Sequence, residues 1–285
     1  MNLTIVLPLL ATIVSLIFTL MVFDQYLRKH KPYQIIWTFG LLLFSLAAFA
    51  QFLGTNFGWR EADQLYFRVW FLCGAIGTSA FLGMGTLFLI ARPKVARYTL
   101  IGLIIAFAIA TVATLTAPVD TNVLPTCSKQ EISVKLAIKN GHYDTLCPNP
   151  PTVPANVVTT NTQAVYALPG YVWALAPFFN IFGAGFFVWG ALHSAWVFWR
   201  KRTHLYRAVS NVVIMVGGLT AASAGLFQDI GIQGYAFSLA TLLAVTFIFV
   251  GFLISIEVFE EFRIPFTNIV LGHRHQPSTG VGQEI

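Results

Sequence analysis

Charged side chains are scarce in this sequence, and none occurs in the middle of a long apolar run. Asp, Glu, Lys and Arg make up 10% of the residues, whereas 56% are hydrophobic. A soluble domain carries about 25% charged residues, so the composition excludes a soluble fold. Proton pumps and ion-coupled carriers use an ionisable group inside the membrane, and a microbial retinal protein uses a lysine in its last helix. The absence of such groups argues against these three classes.

Recognisable sites for catalysis and for metals are also missing. The sequence contains no catalytic motif, no phosphate-binding loop and no complete metal site. His273 and His275 stand close together, but they lack a carboxylate or cysteine partner, which makes them weak evidence for a metal. We therefore predict that the protein is not an enzyme and holds no metal.

Apolar runs dominate what is present. At a rise of about 1.5 Å per residue, runs of about twenty residues cross a bilayer core of about 30 Å. The sequence predicts an all-α membrane protein, a seven-transmembrane-helix bundle that occupies residues 1–259, followed by a cytoplasmic tail at 260–285. The runs are Leu3–Phe23, Ile35–Phe57, Tyr66–Ile90, Tyr98–Ala117, Pro169–Trp199, Ala208–Phe227 and Tyr235–Phe259.

Basic residues set the predicted orientation. They cluster after the first, third and fifth runs, so these loops share one side of the membrane. Positively charged loops stay in the cytoplasm, which places the N-terminus outside and the C-terminus inside. The net charge of +6 then reflects threading through a lipid bilayer, and we expect no nucleic-acid partner. The residues are Arg28, Lys29, Lys31, Arg92, Lys94, Arg97, Arg200, Lys201, Arg202 and Arg207.

A polar segment at 118–166 joins the fourth and fifth runs on the predicted outer side. It contains Cys127 and Cys147, which we predict to form a disulfide bond, because disulfides persist outside the cytoplasm. The remaining cysteine, Cys73, lies inside the third run and is predicted to be a free, buried thiol.

The same outer segment carries a hairpin signal. Within 131–147, Ile132, Val134, Leu136 and Ile138 alternate with other residues and lead into Asn140-Gly141, a pattern typical of a small β-hairpin. We therefore expect a β-hairpin in the outer loop between the fourth and fifth helices. It is either a lid or docking surface, or an ordered connector that binds nothing.

Polar side chains within two of the runs mark a candidate binding region. Asn180 and His193 lie in the fifth run and Asn211 in the sixth, among glycines at helical spacing. One interpretation is close helix packing with amides hydrogen-bonded across it. The alternative is a cavity between the third, fifth and sixth runs, in which Asn180 and Asn211 orient a lipid, quinone or pigment. His193 is either a single axial ligand to a haem or chlorophyll-type pigment, or a hydrogen-bonding residue near the interface.

Opposite charges at similar predicted depth indicate a contact between helix ends. Arg68 lies near the start of the third run and Asp229 follows the sixth, both on the predicted outer side. We expect Arg68 to pair with Asp229, or alternatively with Glu61, and so to latch the outer ends of the helices. Such a latch has a structural role rather than a catalytic one.

Two segments carry a resemblance to a known family. They are FRVWFLCGAIGTSAFLGMGTLFLIARPKVAR at 67–97 and NIFGAGFFVWGALHSAWVFWRKRTHLYRAVSNVVIMVGG at 180–218. They resemble a family of bacterial seven-helix integral membrane proteins without an assigned activity. The resemblance covers most of the membrane part. It implies the bacterial plasma membrane and the same threading, and it implies no site residues. In outline the chain is also similar to the seven-helix input modules of sensor kinases.

Two functions are carried forward. The packing glycines, the lack of mid-span charges and the tail favour a non-enzymatic accessory or scaffold subunit of a larger membrane assembly, with other membrane subunits or a second copy as partners. The alternative is a small-molecule-binding sensor or uniporter that uses the cavity described above. A membrane enzyme ranks below both, because it would need a cluster of His, Asp or Glu at one depth.

Overall fold

The structure is a computed structural model, and it describes residues 2–59, 64–121, 124, 135–139, 142–143, 164–201, 205–229 and 235–255. Side chains are described in the same ranges except at 135–166, 201, 205–207 and 225–229. The tail at 260–285 and both Cys127 and Cys147 lie outside the described residues.

Long apolar helices make up most of the described chain. Six helical spans are long and apolar enough to cross a membrane; Leu65–Ile90 and Gly170–Arg200 each count as one span, although each contains more than one of the helices named below. A further helix contains the shorter apolar stretch Ala208–Ala224. The protein is therefore a multi-pass membrane protein by the length and composition of its helices. The helices are α1 (Leu3–Lys29), α2 (Pro32–Phe57), α3 (Leu65–Trp70), α4 (Ser79–Ile90), α5 (Pro93–Thr116), α6 (Gly170–Trp173), α7 (Leu175–Lys201), α8 (Leu205–Asp229) and α9 (Ala236–Ile254).

The turn between α1 and α2 is shorter than the sequence suggests. α1 continues past the end of the first apolar run to Lys29. Asp24 and Arg28, one turn apart, form an ion pair of 3.0 Å, which supports the additional helical turn. His30 then takes a left-handed conformation with φ 49°, and Pro32 begins α2 at a position where no N–H is needed.

The third predicted run is one continuous helix with an irregular centre. A π-helical segment, Phe71–Thr78, joins α3 to α4. In a π-helix the hydrogen bonds skip one extra residue, so some carbonyl groups need other donors. The Thr78 hydroxyl donates to the carbonyl oxygen of Cys73 at 2.8 Å. The prediction of a free, buried Cys73 is confirmed.

Six of the helices form a closed ring. α1 packs on α2, α2 on α4, α4 on α7, α7 on α8, α8 on α9, and α9 back on α1. α5 lies outside the ring against α4 and the π-helical segment, and only 17% of its apolar window is buried. A cluster of buried apolar side chains faces the inside of the ring, namely Phe18, Val22, Leu41, Leu82, Phe187 and Val245.

A second apolar cluster runs along α2, α4 and α5 and reaches one end of the ring with its large aromatic side chains. Trp59 and Phe67 are almost fully buried there, beside Trp70 and Phe71. Leu124, inside the predicted outer segment, and Leu168, directly after it, belong to the same cluster. The end of the ring next to this loop is therefore covered by apolar side chains.

Three short strands lie within the predicted outer segment. They are β1 (Lys135–Lys139), β2 (His142–Tyr143) and β3 (Ala164–Tyr166), and the sheet order is β2-β1-β3. β1 pairs antiparallel with β2, with Ile138 opposite Tyr143, and antiparallel with β3, with Leu136 opposite Val165. The turn residues Asn140 and Gly141 lie outside the described residues.

Candidate functional site

Hydrogen bonds between helices join five neighbouring pairs around the ring. Each is a side-chain bond within the apolar spans, where such bonds contribute about 0.6 kcal/mol on average. The bonds are Ser45 Oγ to Ser15 Oγ at 2.9 Å (α2–α1), Trp37 Nε1 to the Leu82 carbonyl at 3.0 Å (α2–α4), Ser79 Oγ to Asn180 Oδ1 at 2.5 Å (α4–α7), Asn211 Nδ2 to Ser194 Oγ at 3.0 Å (α8–α7), and Ser210 Oγ to the Gly251 carbonyl at 2.5 Å (α8–α9).

Asn180 holds α7 against the irregular centre of the third span. Its amide oxygen accepts from Ser79 Oγ at 2.5 Å, and its Nδ2 donates to the Ala75 carbonyl oxygen at 2.8 Å. Ala75 lies in the π-helical segment, where carbonyl groups are short of backbone donors. Both ends of the Asn180 amide therefore bond to the third span, as the helix-packing interpretation predicts.

Two glycines allow this approach. Gly83 of α4 and Gly183 of α7 face each other so closely that a methyl group on either would collide with backbone atoms of the opposite helix. The added carbon would meet the carbonyl of Ser79 in one case and that of Gly183 in the other. Since backbone atoms cannot rotate away, the two helices can cross here only with glycine at both positions.

Asn211 and His193 occupy different surroundings. Asn211 Nδ2 donates to Ser194 Oγ, so the amide joins α8 to α7. His193 lies on the exposed side of α7 and points away from the ring. The structure therefore does not bring Asn180, His193 and Asn211 into one site. Among the described side chains, no group of three or more His, Cys, Asp or Glu residues is placed to hold a metal ion.

The exposed side of α7 carries a row of large side chains that we call the tryptophan face. At the basic end of α7 the Arg200 guanidinium lies 5.4 Å from the ring centre of Trp196, a cation–π contact. Gly185 belongs to the same side and has open space where a side chain would stand. The tryptophan face consists of Phe178, Ile181, Gly185, Trp189, Leu192, His193, Trp196 and Trp199.

Arg68 contacts the end of a helix. Its Nη1 donates to the carbonyl oxygen of Thr114 at 2.6 Å, close to the C-terminal end of α5. A cation at a helix C-terminus satisfies terminal carbonyl groups and interacts favourably with the helix dipole. Glu61 and the side chain of Asp229 lie outside the described residues, so the latch between Arg68 and Asp229 stays a prediction.

A cavity of about 40 Å³ lies on the axis of the ring. Every ring helix contributes to its wall, and the wall exposes no polar surface to it. Neither Asn180 nor Asn211 lines the cavity. The lining residues are Phe18 and Val22 from α1, Trp37 and Leu41 from α2, Leu82 from α4, Phe187 from α7, Ile214 from α8, and Ile248 and Phe252 from α9.

Buried polar groups on α2 were not singled out from the sequence. Gln34 Nε2 and Thr55 Oγ1, toward opposite ends of α2, have no hydrogen-bond partner in the described part of the chain. Between them, Gln51 Nε2 donates to Ser238 Oγ of α9 at 2.9 Å. The sequence signal that could have identified them is the presence of polar residues inside an apolar run. Buried polar atoms of this kind are ordinarily satisfied by internal water. The buried polar residues of α2 are Gln34, Thr38, Ser45, Gln51 and Thr55.

Comparison with known proteins does not extend this description. No family model, no curated protein and no solved structure matches the chain. The geometry of the ring and of the tryptophan face is therefore the basis for a functional assignment.

Proposed function

We propose that the protein is a non-enzymatic accessory or scaffold subunit of a larger assembly in the bacterial plasma membrane. The tryptophan face of α7 is the observation that carries this proposal. Ile181 and Trp189 on this face are 76% and 62% exposed. A partner helix that packed on the face would bury these side chains.

The depth of Trp189 favours a protein partner over lipid at this point of the face. Trp189 lies about 6 Å along the helix from the midpoint of the span Gly170–Arg200, close to the bilayer centre. Tryptophan in contact with lipid concentrates at the membrane–water interfaces, whereas tryptophan at protein contacts forms buried anchors. Trp189 is therefore better placed for a protein contact.

Two further residues on the face also favour a protein partner. His193 is an ionisable residue on an exposed side, although ionisable residues within spans almost always face other protein or water. Gly185, one turn from Trp189, leaves room for the backbone of another helix. A partner helix centred on Gly185 would contact Trp189 and come within reach of His193.

The proposal includes the threading predicted from the sequence: seven spans, the N-terminus outside and the C-terminus in the cytoplasm. The 25-residue length of α8 and its place in the ring with five other helices support a seventh span. The basic residues near the ends of α1, α4 and α7 support the orientation. The strands β1 and β2 fit a small outer hairpin, held by a disulfide between Cys127 and Cys147.

Copurification with matched glycine variants tests the accessory role. The protein is isolated in mild detergent, and every subunit that comes along is quantified by mass spectrometry. Gly185→Leu fills the open space on the tryptophan face, so we expect it to lose the partner or the second copy. Gly102→Leu is the control, because Gly102 is an exposed glycine of α5 that also has open space around it.

The outcomes separate the possibilities. A stoichiometric partner that Gly185→Leu loses and Gly102→Leu keeps supports the proposal. A solitary wild-type protein, or equal retention by both variants, contradicts it. An absorption spectrum of the same preparation tests a pigment at His193, since a bound haem or chlorophyll-type group would absorb visible light.

The axial cavity favours the second candidate function, a small-molecule-binding sensor or uniporter. It touches the third, fifth and sixth predicted runs through Leu82, Phe187 and Ile214. Its wall is apolar, so an occupant would be apolar where it meets the wall. The amides of Asn180 and Asn211 would not orient such a ligand, because they join helices elsewhere.

A further inference from the structure

The wall of the axial cavity excludes most kinds of occupant. Its exposed surface is entirely apolar, although six helices contribute to it. A water molecule needs two to four polar partners, so the cavity offers no stable place for water. Cavities lined by Leu, Ile and Phe stay dry and bind apolar molecules instead.

The size of the cavity sets the size of the occupant. A volume of about 40 Å³ exceeds the roughly 10–15 Å³ that one water-sized group needs. The space therefore accommodates about three such groups, which corresponds to the last few carbons of a hydrocarbon chain. It has no room for a polar headgroup or for a ring system such as a quinone.

The cavity also lies at a depth where the hydrocarbon chains of lipids are present. Phe18, Leu41 and Trp37 lie between about 3 and 11 Å from the midpoints of their helices, toward the basic end. This depth is within a bilayer core that extends about 15 Å to each side of its centre. The cavity is partly open rather than sealed.

One seam of the ring differs from the others at this depth. Among the described residues, the seam between α1 and α9 is the least extensive of the six. Around the cavity this seam is formed by phenylalanine side chains: Phe18 packs in tilted contact with Phe249 and with Phe252, each with 5.1 Å between ring centres. These side chains have no hydrogen-bonding group, whereas each of the other five seams contains a hydrogen bond between its helices. Parting Phe18 of α1 from Phe249 and Phe252 of α9 separates aromatic rings only.

We propose that the axial cavity binds the end of a hydrocarbon chain of a membrane lipid, which enters through the seam between α1 and α9. The chain fills the centre of the ring while its headgroup stays at the bilayer surface. This inference rests on the cavity and the seam, and it does not depend on the accessory role. It also gives the second candidate function its ligand class.

Photolabelling with a lipid tests the proposal. The full-length protein is reconstituted in vesicles that contain a phospholipid with a diazirine at the terminal carbon of one acyl chain, and adducts are mapped by mass spectrometry. We expect adducts on Phe18 and Val22. These residues are only 4% and 1% exposed, so lipid outside the ring cannot reach them. A lipid with the diazirine beside the glycerol should not label them.

A pair of adjacent variants controls for labelling from outside. Leu41→Phe adds three carbon atoms to a side chain in the cavity wall and should remove the adducts on Phe18 and Val22. Leu42→Phe makes the same change on the exposed side of α2 and should leave them in place. If Leu41→Phe does not fold, Val22→Leu takes its place. It adds one carbon atom to the cavity wall, so it should lower the adduct yield on Phe18 without abolishing it.

Either of two results would overturn the proposal. One is the absence of adducts on Phe18 and Val22 in the wild type, and the other is an equal yield of these adducts in Leu41→Phe and Leu42→Phe. Competition by an unlabelled isoprenoid quinone identifies the source of the chain. Displacement of the acyl label assigns the cavity to an isoprenoid tail, and no displacement assigns it to a phospholipid chain. Neither result affects the copurification test, so the two proposals fail independently.

Discussion

Replacing Gly183 by alanine is the sharpest available test of the ring. The substitution adds one carbon atom at the point where α7 crosses α4. That atom would overlap the carbonyl group of Ser79 and the backbone nitrogen of Ala80, well inside ordinary van der Waals contact. Neither atom can swing aside, because both belong to the backbone of α4. The two helices must therefore move apart.

The expected loss of stability follows from the contacts and hydrogen bonds that this separation of α4 and α7 weakens. A separation of about 1 Å forfeits about half of the local dispersion energy. It also lengthens both hydrogen bonds of Asn180, now 2.5 and 2.8 Å, to or beyond the limit of about 3.5 Å. Overpacking costs about 1–3 kcal/mol, and each intramembrane hydrogen bond contributes about 0.6 kcal/mol. We expect Gly183→Ala to lower the free energy of unfolding by about 2–4 kcal/mol.

The assay is reversible unfolding in mixed micelles, titrated with SDS and followed by tryptophan fluorescence. Gly102→Ala is the matched control, since it makes the same change in open space on α5. Its stability should stay within about 0.5 kcal/mol of the wild type. Equal stability of Gly183→Ala and Gly102→Ala would refute the crossing of α4 and α7 at Gly183.

Two further predictions concern Asn180 and the cysteines. Asn180→Ala should destabilise the protein by about 1–2 kcal/mol in the same titration, because it leaves the Ala75 carbonyl without this donor; a neutral effect would contradict the helix-packing role. In intact cells a membrane-impermeant maleimide should label Cys127 and Cys147 only after a reductant is added, whereas Cys73 should react only in SDS. Labelling without reductant would argue against the disulfide, and labelling of that pair only after lysis would argue against the orientation.

The roles of the polar side chains in the spans could not be predicted from the sequence alone. Asn180 and Asn211 were recognisable as polar groups in apolar runs, and both interpretations, helix packing and ligand binding, fit that pattern. The choice depends on which atoms face them, and hydropathy carries no information about that. For Asn180 the decisive partner is a carbonyl of the π-helical segment Phe71–Thr78, which no local sequence signal predicted.

His193 illustrates the same limit in the opposite direction. From the sequence it was either an axial ligand to a pigment or a hydrogen-bonding residue near the interface, and only the rotation of α7 shows that it lies on the exposed side. That rotation is set by the contact between Gly183 and α4 and by the hydrogen bond between Ser194 and Asn211. Both are contacts between residues far apart in the chain or on different helices.

The sequence by itself determined the membrane class, the approximate limits of the apolar helices and the side on which basic residues collect. Each of these depends on the composition of a short window, because every long apolar segment must satisfy its own backbone as a helix in lipid. Only the tertiary structure decided that six helices close a ring, that α5 stays outside it, and that an apolar cavity remains on the axis. These features depend on which helix faces meet, and that choice is made by close packing and hydrogen bonds between distant residues.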